Sequence, residues 1–176
     1  IEKELIPNKN VCTISNETEA TTLLKQLKKS KLTISRVEKR EKKRNPVPPF
    51  ITSSLQQEAS RHYGFSASRT MGIAQSLYEG IDLGSEGTEG LITYMRTDSV
   101  RIEPEALNAA RILIDGAYGK EYLPEIPKQY TTKKSAQDAH EAIRPTNLQH
   151  PPDIIKSALT TDQYKLYLLI WRRFLA

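Results

Sequence analysis

Apolar residues recur along this chain with two different periods. Between Asn16 and Lys29, Ala20, Leu23, Leu24 and Leu27 fall on one face at helical spacing, with Ser15 or Asn16 placed to cap the helix. Val11 to Ile14 and the set Leu32, Ile34 and Val37 read as short strands on either side of it. Asn45-Pro46-Val47-Pro48-Pro49 then forces an extended connector, because proline fixes its own φ and keeps its predecessor out of the helical region. A strand pair with one helix is marginal alone, so residues 1–51 read as part of a domain whose other strands lie outside the chain.

From Thr52 onward the pattern turns helical. Thr52 or Ser53 can cap a helix through Tyr63, with capping-box spacing between Ser53 and Gln56, and Gly64 stops it. Ser66 starts the next helix, with Met71, Ala74, Leu77 and Tyr78 on its apolar face. Helix, glycine turn, helix is the outline of a helix-turn-helix and of any αα-hairpin. Gly80, Gly84, Gly87 and Gly90 predict a mobile loop. A further helix opens at Pro104 and runs to about Gly116, carrying Ala106, Leu107, Ala110, Ile112, Leu113 and Ile114. An irregular stretch from Tyr118 to Lys134 follows. Helices over Asp153–Ala158 and Thr160–Ala176 close the chain, the last with Leu166, Leu169, Ile170 and Phe174 inward. The fold class expected is mainly α with a small α/β element at the front.

The second period lies between the glycine stretch and Pro104. In Gly90-Leu91-Ile92-Thr93-Tyr94-Met95-Arg96-Thr97-Asp98-Ser99 a short strand would put Tyr94, Arg96 and Asp98 on one face and Thr93, Met95 and Thr97 on the other. A tyrosine beside an arginine can attack a phosphodiester. A phenol with a pKa near ~10 is only about 0.1% phenolate at neutral pH. A neighbouring cation favours the phenolate and the charge that builds on phosphate oxygens in the transition state. By itself Tyr-x-Arg is common, and an amphipathic tyrosine next to a solvated arginine is the plainer reading.

Composition narrows the partners. With 176 residues, 38% hydrophobic and 27% charged, the chain can bury one good core, or one core with a small appendage. No apolar run approaches the length of a membrane span. A first residue of Ile1, with no signal-peptide pattern, suggests a piece of something longer. Cys12 is the single cysteine, which excludes an internal disulfide and fits a reducing cytoplasm. One cysteine and three histidines offer no zinc-site spacing. A net charge of +5 suits a polyanionic partner. Arg36, Lys39, Arg40, Lys42, Lys43 and Arg44 cluster before the proline connector, diluted by Glu38 and Glu41. They could track phosphates, though a solvated surface is the ordinary outcome for each. Gly119-Lys120 lacks the glycine and Ser/Thr of a phosphate loop, consistent with chemistry that needs no ATP.

Three segments together resemble the type IA DNA topoisomerases. Gly90 to Ser99 resembles the family's active-site segment. Pro49-Phe50-Ile51-Thr52-Ser53-Ser54-Leu55-Gln56-Gln57-Glu58-Ala59 resembles the segment upstream of it, and Gln137-Asp138-Ala139-His140-Glu141-Ala142-Ile143-Arg144-Pro145-Thr146 the one downstream. The order is right, and the resemblance covers the chain from about Val11 to its end. It implies that Tyr94 is the nucleophile, joined to the 5′ end of a cut strand, and that Arg96 binds the scissile phosphate and stabilises the transition state. His140 would contact the DNA backbone. Arg144 would assist there, or pair structurally with Asp138 or Glu141. Asp98 would orient Arg96 or cap the turn that follows. Gln56, Gln57 and Glu58 read as hinge packing. The fold implied is part of a hinge or arch domain (1–51) followed by a helix-turn-helix-like domain with the tyrosine on a short strand (52–176). The partners implied are single-stranded and negatively supercoiled DNA and the remaining domains of the same enzyme, in the bacterial cytoplasm at the nucleoid.

The departures from the family pattern matter as much. The family binds Mg²⁺ with an acidic cluster in a separate domain that also supplies a catalytic lysine and glutamate. This chain has no Asp-x-Asp, and its Glu-x-Glu pairs lie outside the three segments. No metal or cofactor is therefore expected here, and the chain alone is expected to be inactive. The competing expectation from another class is a non-enzymatic helix-turn-helix module that reads duplex DNA. Its recognition helix would have only Ser68 and Arg69 to offer at the N-terminal end.

Overall fold

The structure is a computed structural model that describes residues 14–31, 33–34, 36–41, 45–130 and 140–176. The expectations placed on Val11, Cys12, Leu32, Lys42 to Arg44 and Gln137 to Ala139 lie outside those residues. The chain divides into two compact units, 1–43 and 44–176.

In the first unit, α1 spans Glu17–Lys29. Asn16 caps it, its side chain accepting the Glu19 N–H at 2.8 Å, while Glu17 and Glu19 sit in the first turn and Lys28 and Lys29 in the last. The apolar face has the expected spacing, but none of its residues is buried, and Leu24 and Leu27 stay exposed. The flanking strands do not form among the described residues. Ile14, Ile34 and Val37 are exposed, in segments that lack a ladder. A strand needs a partner for its N–H and C=O groups, and none is present among those residues.

The second unit is helical. Helices α2 (Thr52–Tyr63), α3 (Ala67–Glu79) and α5 (Thr161–Leu175) pack on one another, and α4 (Pro104–Tyr118) flanks them. Gly64 ends α2 at φ 66°, which glycine adopts freely, and its N–H reaches Ser60 O at 2.8 Å. Ser66 caps α3, and α5 opens with a full capping box between Thr160 and Gln163. α4 runs two residues past Gly116, to Tyr118. Asp153–Ile155 form turns rather than a helix, with a single 3₁₀ turn at Lys156–Ala158. In α5 the buried stripe is Leu166, Tyr167, Ile170 and Trp171, so two aromatic residues take the place expected of Leu169 and Phe174. Burial pushes the Tyr167 hydroxyl above the usual phenol range, and it donates to His150 O at 2.9 Å.

The glycine stretch is a built hairpin instead of a loose loop. β1 (Ile81–Asp82) and β2 (Thr88–Glu89) pair antiparallel around a 3₁₀ turn at Gly84–Glu86. Ile81 enters the core, and Glu89 accepts from Asn147 Nδ2 at 3.3 Å and meets His150 Nε2 at 2.8 Å. Glycine supplies the positive φ at positions 84 and 87, so its freedom is spent on making the turn. With the hairpin fixed, the chain after it starts from a defined point.

Candidate active site

Tyr94 does not lie on a strand, which corrects the expected strand at this position. One antiparallel bridge, Ile92 with Pro145, is made by Thr93 N to Arg144 O (3.0 Å) and Thr146 N to Leu91 O (3.1 Å). The next bond of a ladder would run from Arg144 N to the Thr93 carbonyl. The Thr93 hydroxyl takes that N–H instead, at 3.0 Å, and donates to Ala142 O at 2.7 Å. Beyond it the backbone is held by a helix terminus. Thr52, the first residue of α2, donates its hydroxyl to Met95 O (2.7 Å), with Thr97 O also in range (3.0 Å), and accepts Thr97 N–H (2.9 Å). Its own N–H donates to Thr97 O at 2.9 Å. Thr52 therefore spans Arg96 from both sides instead of capping its own helix. The local N-terminal bond is made by Ser54, whose hydroxyl accepts the Ile51 N–H at 3.0 Å, in place of the expected Ser53–Gln56 pair.

The period-two facing survives without the ladder. Tyr94, Arg96 and Asp98 are exposed, while Met95, Thr97 and Ser99 are buried. Leu91, Ile92 and Met95 enter the core, each with burial worth roughly 1.5–3 kcal/mol. That outweighs the bridge itself, whose two hydrogen bonds contribute about 0.5–1.5 kcal/mol apiece. The segment is thus anchored mainly from below, and its exposed side chains project from a fixed backbone. Thr52→Val is expected to lower stability by about 1–3 kcal/mol, because the part-buried Thr97 N–H loses its acceptor, whereas Thr52→Ser should keep most of it. Thermal unfolding of the two variants checks this.

The structure brings Tyr94 and His140 together, with ring centroids 5.7 Å apart. On another side Tyr94 meets Tyr78 edge-on at 5.4 Å and 65°. The Tyr94 hydroxyl has no hydrogen-bond partner among the described residues, and the residue is 38% exposed. Arg96 lines an open depression with Thr52, Ser53, Gln56, Thr97 and Asp98. Among the described residues neither Arg96 nor Asp98 is hydrogen-bonded or ion-paired, so Asp98 does not orient Arg96 and does not cap the turn. Gln56 lines that depression, and Glu58 pairs with Arg61 and His62 along α2.

Arg144 is placed differently from Arg96. Its side chain is only 12% exposed and forms a two-pronged pair with Glu141, Nε to Oε1 at 3.2 Å and Nη2 to Oε2 at 2.7 Å. Glu141 also accepts the Glu103 N–H at 2.8 Å, which ties this pair to the start of α4. Its guanidinium thus braces the backbone behind Tyr94. In the basic stretch, Arg36 and Arg40 share the Glu38 carboxylate on an exposed surface, where such pairs contribute little. Thr52 and Thr93, whose hydroxyls hold the backbone on either side of Tyr94, are the positioning residues that the sequence did not single out for that role. A hydroxyl partner more than forty positions away leaves no periodic signal.

Among the described residues no group of three His, Cys, Asp or Glu side chains could hold a metal ion. No helix among them is long and apolar enough to cross a membrane.

A sequence model of the DNA topoisomerase family matches residues 2–176. The chain belongs to that family. It is 57% identical over 164 residues to DNA topoisomerase 1 of Rickettsia prowazekii (strain Madrid E), covering 93% of this chain and 21% of that protein. It is 51% identical over 154 residues to DNA topoisomerase 1 of Xylella fastidiosa (strain 9a5c), covering 87% of this chain and 19% of the relative. Among solved structures it is similar to full-length topoisomerase I from Thermotoga maritima, at 48% identity and a TM-score of 0.63, over 74% of this chain and 20% of that one. The chain spans about a fifth of the length of these relatives.

Proposed function

We propose that this chain is the nucleophile-bearing part of a type IA DNA topoisomerase, with residues 1–51 contributing to a hinge or arch and residues 52–176 forming the part that opens a gate. The observation that carries this reading is the exposed Tyr94 side chain on a core-anchored backbone, with an arginine two residues on that is unpaired among the described residues and a histidine against its ring. The Tyr94 oxygen gives up its proton and attacks phosphorus. The bond from phosphorus to the 3′ oxygen breaks, and that oxygen leaves as a hydroxyl after taking a proton. One ester replaces another of similar energy, so religation needs no ATP. Arg96 stabilises charge on the non-bridging oxygens, and His140 contacts the backbone phosphate. Arg144 holds the His140–Thr146 segment in register through Glu141.

Single-stranded and negatively supercoiled DNA are the substrates of this reading, and relaxation of negative supercoils in the bacterial cytoplasm is its task. The metal site, the catalytic lysine and the rest of the strand-binding cleft belong to the other domains of the enzyme. The 176-residue chain alone is inactive on this reading. A helix-turn-helix reader of duplex DNA draws less support. Arg69, the best base-reading side chain of α3, is paired with Asp162 at 2.5 Å and lies over the Phe65 ring.

The test uses the full-length enzyme and one single-stranded oligonucleotide labelled at either end. After denaturation the 3′ label is expected to migrate with protein and the 5′ label as a shortened free strand. Protein on the 5′-labelled piece would overturn the polarity. A sequence-specific duplex footprint without any adduct would favour the helix-turn-helix module.

A further inference from the structure

The geometry points to Tyr78 as the positioning residue that sets the direction of the Tyr94 side chain, a role that rests on Tyr94 being the nucleophile. Tyr78 lies in the last turn of α3. It is 40% exposed, unlike Leu77 beside it, which is fully buried. Its ring stands edge-on to the Tyr94 ring at 5.4 Å, a favoured arrangement of aromatic quadrupoles. Since the Tyr94 hydroxyl has no hydrogen bond among the described residues, ring packing from Tyr78 and His140 is what restrains its rotamer there.

The two rings are referenced to each other through the backbone. Leu91 N donates to Leu77 O at 2.7 Å, joining the end of α3 to the start of the Tyr94 segment. Gly90 makes that approach possible, since a Cβ there would stand 2.5 Å from the Tyr78 carbonyl oxygen. Leu77 and Leu91 are both fully buried, so this joint is closed from the core side. The hairpin between them is itself pinned by Glu89 to His150 and Asn147. The Tyr78 backbone is therefore fixed relative to the Tyr94 segment, and its ring is the surface against which the Tyr94 side chain leans. Removing that surface leaves the nucleophile in place but spreads its oxygen over more orientations. An aromatic pair of this kind shifts a rotamer population by roughly 2- to 10-fold.

The experiment compares Tyr78→Phe, Tyr78→Leu and Tyr78→Ala in the full-length enzyme with wild type and Tyr94→Phe. It measures single-turnover cleavage of a single-stranded oligonucleotide, the affinity for that oligonucleotide, and the pH profile of cleavage. Tyr78→Phe keeps the edge-on ring and should cleave within about twofold of wild type with an unchanged pH profile. Tyr78→Ala should cleave about tenfold more slowly at unchanged affinity, and Tyr78→Leu should fall between. Wild-type cleavage by Tyr78→Ala and Tyr78→Leu would overturn the proposal. So would a loss of affinity that accounts for the slower cleavage, since Tyr78 would then be a base-stacking surface. A Tyr78→Phe variant as slow as Tyr78→Ala would also overturn it, by moving the role from the ring to the hydroxyl. Covalent adducts formed by Tyr94→Phe would instead sink the underlying assignment of the nucleophile.

Discussion

Tyr94→Phe in the full-length enzyme is expected to abolish covalent DNA–protein adducts, while affinity for a single-stranded oligonucleotide stays within about twofold. The substitution removes one oxygen and leaves the ring, so the contacts with Tyr78 and His140 persist. The hydroxyl has no hydrogen-bond partner among the described residues, and its loss strands none of them. Stability should therefore change by less than about 0.5 kcal/mol, the usual range for a surface change. An unchanged melting temperature beside a complete loss of adduct separates chemistry from folding. Denaturing gels of labelled strand measure the first, and thermal unfolding the second. Surviving adducts would place the nucleophile on another residue, which peptide mapping of the adduct would identify.

Much of the second unit was legible because its elements are specified locally. Gly64, Ser66 and Pro104 mark helix ends by backbone chemistry that needs no tertiary context. The alternation around Tyr94 was legible too, and it predicted which side chains would share a face. Its interpretation as a strand failed for a non-local reason. The ladder positions are filled by the Thr52 and Thr93 hydroxyls, and period-two facing requires only an extended backbone, not a neighbouring strand. The glycine-rich stretch misled in the opposite direction. Glycines suggest mobility, yet here they form a turn locked by Ile81, Glu89 and His150, residues whose meeting depends on the fold.

The front of the chain shows the same limit. Ala20, Leu23, Leu24 and Leu27 form the expected stripe on α1, but a stripe says only that something apolar is to cover it, and none of these side chains is buried. At the candidate site, the resemblance puts Tyr94, Arg96 and His140 in matched segments, and the structure sets the Tyr94 and His140 rings side by side. The sequence alone does not divide the labour between Arg96 and Arg144, since it leaves Arg144 either assisting at the DNA or pairing with Asp138 or Glu141. Both are arginines in matched segments, and only the position of Glu141 distinguishes an available guanidinium from a committed one.

That difference sets the expectation for Arg96. Arg96→Ala in the full-length enzyme should slow strand cleavage by about 10²–10³-fold, the cost of removing one preorganised donor from a developing oxyanion. Arg96→Lys should recover only part of this, remaining about tenfold below wild type, since lysine keeps the charge and loses the planar two-pronged donor. Because no carboxylate among the described residues pairs with Arg96, its removal leaves no orphaned partner, and the melting temperature should hold. Arg144→Ala should behave in the reverse way. It leaves the Glu141 carboxylate without its cation behind the Tyr94 segment, so stability falls first and cleavage follows from the lost geometry. His140→Ala should be milder than Arg96→Ala, because one contact to a ground-state phosphate contributes less than stabilisation confined to the transition state. Single-turnover cleavage and thermal unfolding, measured on all four variants, resolve these patterns. A lysine variant as fast as wild type would show that charge at Arg96 is sufficient. A His140→Ala loss as complete as that of Tyr94→Phe would move His140 from phosphate contact to proton transfer.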